Sequence, residues 1–368
     1  MKLIHTGDLH IGITINGFNM LEDQEHILGQ IINIALEEQA DAVLLAGDLY
    51  DRSVPSADAV KLLDFFISDL IEKGIKVFAV SGNHDSPERL SFGNSIMKGR
   101  GFFIEGIYED RIMKEVLKDE YGDLNFYLLP YFRWFEAESM DAAVREAIEK
   151  EKIDASARNV MITHNFVTTG GRFNELVVGD VENVDASVFD VFDYTALGHI
   201  HSSMKIGAGN VFYSGSPLKY SFSNVEKNKS VNIIELLEKG KVNIISRELY
   251  PLRDMRKIRG ELKDLIKDQV VSQGNSKDYI CATILNKEEL IDPIGVLRQV
   301  YPNVMQVIID KNRAEGDDYA LTDLDIKNKT EIELFTEFFK FVTGEDMDLK
   351  RSDFINSVIE KAKRGESL

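Results

Sequence analysis

The sequence predicts an α/β protein, a two-sheet sandwich flanked by helices and followed by a small α+β domain and C-terminal helices. Two observations lead there. From Met1 to about Ser216 short apolar runs alternate with helical patterns, the rhythm of a sheet covered on both faces. The later apolar runs VFYSGS (211–216), VNIIEL (231–236) and VNIISREL (242–249) crowd together, which points to antiparallel pairs and hence to two sheets.

The elements follow in order. KLIH (2–5) is the first strand. A helical stretch over about 20–39 repeats Ile27, Ile31, Ile34 and Ala35 at helical spacing. DAVLLAG (41–47) is the second strand. Ser56 is a candidate N-cap for a helix through Leu63, Phe66 and Leu70, and Gly74 is its stop. IKVFAV (75–80), NFYLLP (125–130), NVMIT (159–163) and DYTALG (193–198) are further strands. From about Arg253 the pattern changes to RKIRGEL, a helix around 261–272, the strand DYICATIL, a helix opening at Pro293, and NVMQVIID. The expected domains are therefore 1–252, a small α+β domain at 253–312, a polar linker at 313–329, and amphipathic helices at 330–368. In the last segment Thr330 and Glu333 have capping-box spacing. Leu334, Phe335, Phe338, Phe339 and Val342 form one apolar stripe, and Phe354, Ile355, Val358 and Ile359 begin a second.

Composition narrows the class. With 44% hydrophobic and 29% charged residues the chain reads as a soluble globular protein. It has no run of ~18 apolar residues, so no membrane span is expected. MKLIHTGD runs straight into a strand, unlike a signal peptide. The single cysteine, Cys281, excludes an internal disulfide framework and fits a cytoplasmic location; within YICATIL it reads as a small buried hydrophobe. The net charge of −19 opposes a nucleic-acid partner, because DNA affinity rests on Lys and Arg against phosphates. Bound divalent cations, or a basic partner subunit, would offset it.

The chemistry gathers at strand ends. The first strand runs into GDLH (Asp8, His10), the second into GDLYDR (Asp48, Asp51, Arg52), and the third into GNHD (Asn83, His84, Asp85). The strand at 159–163 runs into His164, and DYTALG runs into GHIH (His199, His201). One Asp after Gly is ordinarily a turn or an N-cap, and one His is ordinarily a surface or core residue. Here five of the seven histidines sit at such ends, leaving only His5 and His26 elsewhere. Parallel strands would bring these ends to one edge, where open α/β sheets place their ligands. In DLH and HIH an extended chain would turn residues i and i+2 to the same side. Asp, His and Asn donors without thiolate suit Mn²⁺, Fe²⁺, Zn²⁺ or Co²⁺. Seven donor residues are too many for one open ion and fit two ions sharing a carboxylate, which suits hydrolysis of a phosphate ester.

These five motifs resemble those of the calcineurin-like metallophosphoesterase superfamily over about 200 residues. Within it, FDYTALGHIHSSM, VFYSGSPLKYSFSN and KSVNIIEL are similar to the SbcD-type nuclease subunits. Asn165 is a departure, since family members often carry Gly there. The resemblance implies a two-sheet metallophosphoesterase sandwich with a small capping domain, and two divalent ions, Mn²⁺ foremost. It implies that Asp8, His10, Asp48 and His201 hold one ion, and Asp48, Asn83, His164 and His199 the other. His84 then faces the scissile phosphate, Asp51 orients it, Arg52 contacts the phosphate, and Asp85 supports the loop, while Gly82 allows the tight turn. It further implies DNA as substrate, an SbcC-type ATPase partner whose coiled coil is gripped by residues 330–368, and a homodimer within a heterotetramer. The other readings are a stand-alone metallophosphatase or cyclic-nucleotide phosphodiesterase, and a non-catalytic scaffold. None of the seven donors is missing, which opposes the scaffold. Tyr131, Phe132, Trp134 and Phe135 read first as packing aromatics and second as a base-stacking surface. Arg89, Arg100, Arg133 and Arg172 read as solvated loop charges with the alternative of phosphate contacts, and Gly215, Ser216 and Pro217 as a turn lining the site.

Overall fold

A computed structural model of the chain describes residues 1–133, 137–170, 172–173, 176–177, 183–286 and 290–310, together with 335, 336, 339, 347, 351, 352 and 355. The chain divides into two compact units, Met1–Asp310 and Lys311–Leu368. The first unit opens with β1 (Lys2–Thr6), α1 (Leu21–Glu37), β2 (Ala42–Ala46), α2 (Ala57–Glu72), β3 (Lys76–Val80) and β4 (Phe102–Glu105). There follow β5 (Met113–Asp119), β6 (Gly122–Leu129), α3 (Met140–Lys150), β7 (Arg158–His164), β8 (Tyr194–Gly198), β9 (Met204–Ile206) and β10 (Val211–Tyr213). β11 (Lys229–Leu236) and β12 (Val242–Leu249) complete two six-stranded sheets, of order β12-β11-β1-β2-β3-β4 and β9-β10-β8-β7-β6-β5.

In the first sheet β1 to β4 run parallel, while β11 lies antiparallel to β1 and to β12. In the second, β10, β8, β7 and β6 run parallel, with β9 and β5 antiparallel at the edges. The sheets face one another across a shared core that includes Leu3, Leu44, Phe78, Phe126, Ile162 and Ala196. The outer face of the first packs on α1 and α2 through Ile27, Ile31, Phe66 and Leu70. The outer face of the second packs on α3 through Val144 and Ile148. Every residue of β2 (AVLLA) is buried, as a strand covered on both faces requires. Ser56 caps α2 by accepting from the Ala59 amide at 3.2 Å, and Gly74 follows its end at φ +81°.

The differences from the sequence reading have local causes. β5 was not evident because its side chains alternate between half-buried and exposed, so no apolar run marks it. The helix expected at 261–272 is two single turns, Leu262–Leu265 and Asp268–Val271. In VFYSGS only Val211–Tyr213 is strand; it pairs parallel with β8, and its antiparallel neighbour is β9, which the sequence reading lacked.

Beyond β12 lie β13 (Met255–Gly260), β14 (Tyr279–Ile284), α4 (Pro293–Arg298) and β15 (Val304–Ile309). The three strands form an all-parallel sheet with a core of its own, including Ile280, Ile284, Leu297 and Tyr301. Cys281 is a buried free thiol packed with Met20, Phe222, Met255 and Tyr279. The linker at 313–329 lies outside the described residues, as does most of 330–368. Among the described positions of that second unit, Phe335, Thr336, Phe339, Arg351, Ser352 and Ile355 are helical, with the Arg351 guanidinium 5.4 Å from the Phe339 ring centroid. No helix among the described residues is long and apolar enough to cross a membrane.

Candidate metal centre

The C-terminal ends of β1, β2, β3, β7 and β8 meet, so the donors come from both sheets. Asp8 and His10 follow β1 in a loop hydrogen-bonded to the end of β2: Asp8 N donates to Gly47 O at 3.0 Å and His10 N to Asp48 O at 2.9 Å. The extended geometry expected for DLH and HIH is not what brings their side chains together. Asp8, His10 and His199 have φ of +50°, +43° and +100°, so the chain coils at both motifs. Convergence survives because the coil turns each side chain inward. His10 Nε2 is 3.0 Å from His201 Nε2, and the His199 amide donates to Asp8 Oδ1 at 2.9 Å.

Two glycines make room for this convergence. A Cβ on Gly47, which sits at φ +81°, would lie 2.4 Å from His164 Nδ1. A Cβ on Gly82 would lie 2.1 Å from Asp48 Oδ1, so this residue is small to admit the aspartate rather than to reach a left-handed conformation.

The GNHD segment divides its contacts. Asn83 Oδ1 lies 3.0 Å from His164 Nε2 and 3.1 Å from His199 Nδ1. The His84 amide donates to Asp48 Oδ1 at 2.9 Å. His84 Nδ1 faces the main-chain carbonyl of Asp51 at 2.9 Å, whereas the Asp51 carboxylate lies 3.9 Å from His10 Nδ1 and 3.4 Å from Arg52 Nε. Asp51 thus meets His84 through its backbone. Asp85 accepts from the amides of Leu49 (3.1 Å), Tyr50 (2.9 Å) and Gly82 (2.9 Å), clamping the loops after β2 and β3 together.

Asp48 lies at the middle. Its Oδ2 is 3.6 Å from His10 Nε2 and 3.4 Å from His164 Nε2. Three sets of donor atoms each lie within 4.8 Å of one another: Asp8, His10 and His201; His10, Asp48 and His84; Asp8, Asp48 and His164. His84, given a role beside the metals in the sequence reading, is therefore also within reach of a donor set.

The electrostatics fit bound cations. Burial pushes His10 down to about 2 and His164, His199 and His201 down to about 4, so all four rings are neutral at pH 7, the form that ligates metals. Burial raises Asp8 and Asp48 above the ordinary carboxylate range. His164 Nδ1 sits 2.9 Å from Ala46 O, so its proton lies there and its Nε2 lone pair faces the Asp48 carboxylate. Asp8 Oδ2 and His10 Nδ1 are buried with no hydrogen-bond partner. Lone pairs aimed at lone pairs, and orphaned buried acceptors, are costly unless a cation lies among them. The residues present fit divalent metal.

The remaining residues singled out in the sequence stand as follows. Tyr131 turns its ring edge-on to His164 with centroids 6.4 Å apart, and Phe132 stacks on Tyr108 at 4.5 Å. Both are packing contacts. Trp134, Phe135 and the side chain of Arg172 lie outside the described residues. Arg89 donates to Ser53 O at 2.5 Å, while Arg100 and Arg133 are exposed. Gly215, at φ +75°, passes so close to the 201–203 turn that a Cβ would meet His201 O at 2.8 Å. His5 is buried against the Tyr194 hydroxyl at 2.8 Å, and His26 lies on the surface. Sequence reasoning missed Gln24, Tyr220 and Lys229. Lys229 Nζ donates to His201 O at 2.6 Å and to Ser216 Oγ at 3.0 Å. Of these three, Tyr220 and Lys229 lie in the segments VFYSGSPLKYSFSN and KSVNIIEL that carried the resemblance, without a role being assigned to either.

This fold and donor set define a class, and the chain belongs to it: the Calcineurin-like phosphoesterase family model matches residues 1–203. A second model, described as Type 5 capsule protein repressor C-terminal domain, matches residues 251–343. Within the class the chain falls in the SbcD family. It is 32% identical over 380 residues to the SbcD component of the nuclease SbcCD from Staphylococcus epidermidis, an alignment covering 98% of each chain. Among solved structures it is similar to TT1561 of Thermus thermophilus (16% identical, TM-score 0.41, covering 67% of this chain and 98% of that one). It is also similar to a dimetal phosphatase from Danio rerio (12% identical, TM-score 0.43, covering 67% and 96%).

Proposed function

We propose that this chain is the nuclease subunit of an SbcCD-type complex. It would hydrolyse DNA phosphodiester bonds, as a double-strand exonuclease and single-strand endonuclease in DNA repair and recombination, with Mn²⁺ preferred. The observation that carries the reading is the Asp48 carboxylate, whose Oδ2 stands 3.6 Å from His10 Nε2 on one side and 3.4 Å from His164 Nε2 on the other. Asp8, His10, Asp48 and His201 would hold one ion, and Asp48, Asn83, His164 and His199 the second. When bound, such ions supply Lewis acidity to a phosphoryl oxygen and acidify the attacking water.

The protein's own groups do the rest. His84 would protonate the leaving oxygen. The Asp51 carbonyl at 2.9 Å would accept from Nδ1–H, so the acid would be the imidazolium, which hands over its Nε2 proton and keeps the one on Nδ1. Arg52, with 76% of its side chain exposed, is available to meet a phosphate from the solvent side. The SbcC-type ATPase, gripped by residues 330–368, would supply the basic surface that a chain of net charge −19 lacks. A homodimer would have exposed apolar side chains to cover, such as Phe92 and Ile96 at 85% and 78% exposed.

The test is purified chain with Mn²⁺ on labelled duplex DNA, run beside p-nitrophenyl phosphate and a cyclic nucleotide. Cleavage of DNA is the expected result. Turnover of the small esters with DNA left intact overturns the reading in favour of a stand-alone phosphatase or cyclic-nucleotide phosphodiesterase. Bound Mn²⁺ with no turnover of any substrate leaves the scaffold.

A further inference from the structure

Two polar side chains from distant parts of the sequence converge on the loop that carries His10. Gln24, 1% exposed on α1, commits its whole amide to that loop. Its Nε2 donates to Leu9 O at 3.1 Å and His10 O at 2.8 Å, and its Oε1 accepts from Gly12 N at 2.9 Å. The Tyr220 hydroxyl donates to the same Leu9 carbonyl and lies 3.2 Å from Gln24 Nε2. The Tyr220 ring stands edge-on to His10 and His201, with centroids 5.7 and 6.1 Å away.

The residue preceding each of these turns the other way, toward the segment that opens the small domain. Asp23, fully buried, accepts from Arg253 Nε at 3.1 Å, from Arg253 Nη2 at 2.7 Å and from the Tyr279 hydroxyl at 2.7 Å. Lys219 Nζ pairs with the Asp254 carboxylate at 2.8 Å. Arg253 and Asp254 are both tied to β14 in turn: the Arg253 guanidinium lies 5.5 Å from the Tyr279 ring centroid, Tyr279 N donates to Asp254 O at 2.8 Å, and Asp254 N donates to Oδ1 of the preceding Asp278 at 2.9 Å. An apolar seam runs alongside. Met255, Tyr279 and Cys281 pack with Met20 and with Ile13, Ile15 and Phe18, which continue the His10 loop.

Adjacent residues on one backbone cannot move independently, least of all within a helix. We propose that the small domain sets the position of the His10 metal loop through two relays, Arg253 and Tyr279 to Asp23–Gln24, and Asp254 to Lys219–Tyr220, with Gln24 and Tyr220 as positioning residues. The proposal rests on reading His10 as a metal ligand. Displacing β13 and β14 shifts the Gln24 amide and the Tyr220 hydroxyl, and so loosens the donor sets that contain His10 while leaving the His164 set alone.

The test is amide hydrogen exchange and Mn²⁺ titration on the full chain carrying Arg253→Ala, Arg253→Lys, Lys219→Met or Tyr279→Phe; none of these residues is a proposed metal donor. In Arg253→Ala the amides of residues 10–12 should lose protection while those of β7 keep theirs. One of two Mn²⁺ sites should weaken by about 10-fold or more, the usual cost of removing an outer-shell support. Arg253→Lys should restore most of the protection, and Tyr279→Phe and Lys219→Met should give smaller losses of the same pattern. Unchanged exchange at residues 10–12 in all the variants overturns the proposal. So does exchange that rises equally throughout the unit, since that is loss of stability alone. The exchange readout needs neither metal nor DNA, so failure of the unaltered chain to cleave DNA sinks the nuclease reading separately.

Discussion

The two halves of the metal centre are built by different means. His164 is the last residue of β7, wholly buried, with its ring fixed by the carbonyl that ends β2. Its position follows from the strand ladder. His10 lies past the end of β1 at φ +43°, its Nδ1 unpartnered, and its loop is held by Gln24 and Tyr220. One donor is preorganised by the fold, the other by supports drawn from far along the chain. A rigid half fixes the coordination geometry, and a supported half can be influenced from elsewhere.

The largest effect that breaks the contrast is at Asp48, the carboxylate proposed to be shared. Asp48→Asn should lower DNA hydrolysis by ~10³–10⁴-fold, equivalent to the several kcal/mol that metal charge contributes to a phosphoryl transition state. Mn²⁺ titration should show both ions weakened together if Asp48, whose Oδ2 lies 3.6 Å from His10 and 3.4 Å from His164, serves both as proposed. Weakening of only one would mean that the carboxylate is not shared. His84→Ala comes next, with hydrolysis down ~10²–10⁴-fold and two Mn²⁺ still bound. Loss of metal from that variant would move His84 into the donor set with His10 and Asp48.

A stability measurement sharpens the comparison without any metal. His164→Ala leaves the buried carbonyl of Ala46 without its donor and opens a hole between the sheets. Urea unfolding in EDTA should show a loss of ~2–4 kcal/mol. His10→Ala also removes a buried ring, but one whose Nδ1 lacks a partner and whose loss strands no carbonyl, so the same measurement should show the smaller loss. Equal losses would erase the distinction between the halves.

What was legible in the sequence follows the same division. Strand ends were readable because an apolar run that stops on Asp, His and Asn has no packing reason to do so. Among the described residues, those motifs supplied every member of the three donor groupings. The coiled backbone at Asp8, His10 and His199 was not readable, since only φ records it. The space needed at Gly82 was not readable, because the demand comes from Asp48, thirty-four residues earlier. Gln24 shares the buried face of its helix with Ile27, Leu28 and Ile31, and an amide at that spacing does not say which loop it holds. Tyr220 meets Leu9 across 211 positions. Contacts of that span, from a side chain to a backbone carbonyl, leave no periodicity.

The smallest expected effect concerns the clamp common to both halves. Asp85 gathers three amides, two on the loop after β2 and one on the turn after β3, with Leu49 and Gly82 both donating to Oδ2. Asn in its place presents one oxygen and one NH₂, so at least one of the three amides must face a donor. The cost should be about 1–2 kcal/mol of stability by urea unfolding. The loops bear Asp48 on one side and Asn83 on the other, so Mn²⁺ binding should weaken modestly at both sites. Asp85→Asn should therefore lack the one-sided pattern expected of Arg253→Ala. If it weakened only one ion, the clamp would belong to a single half, and the supports of the two halves would be separate throughout.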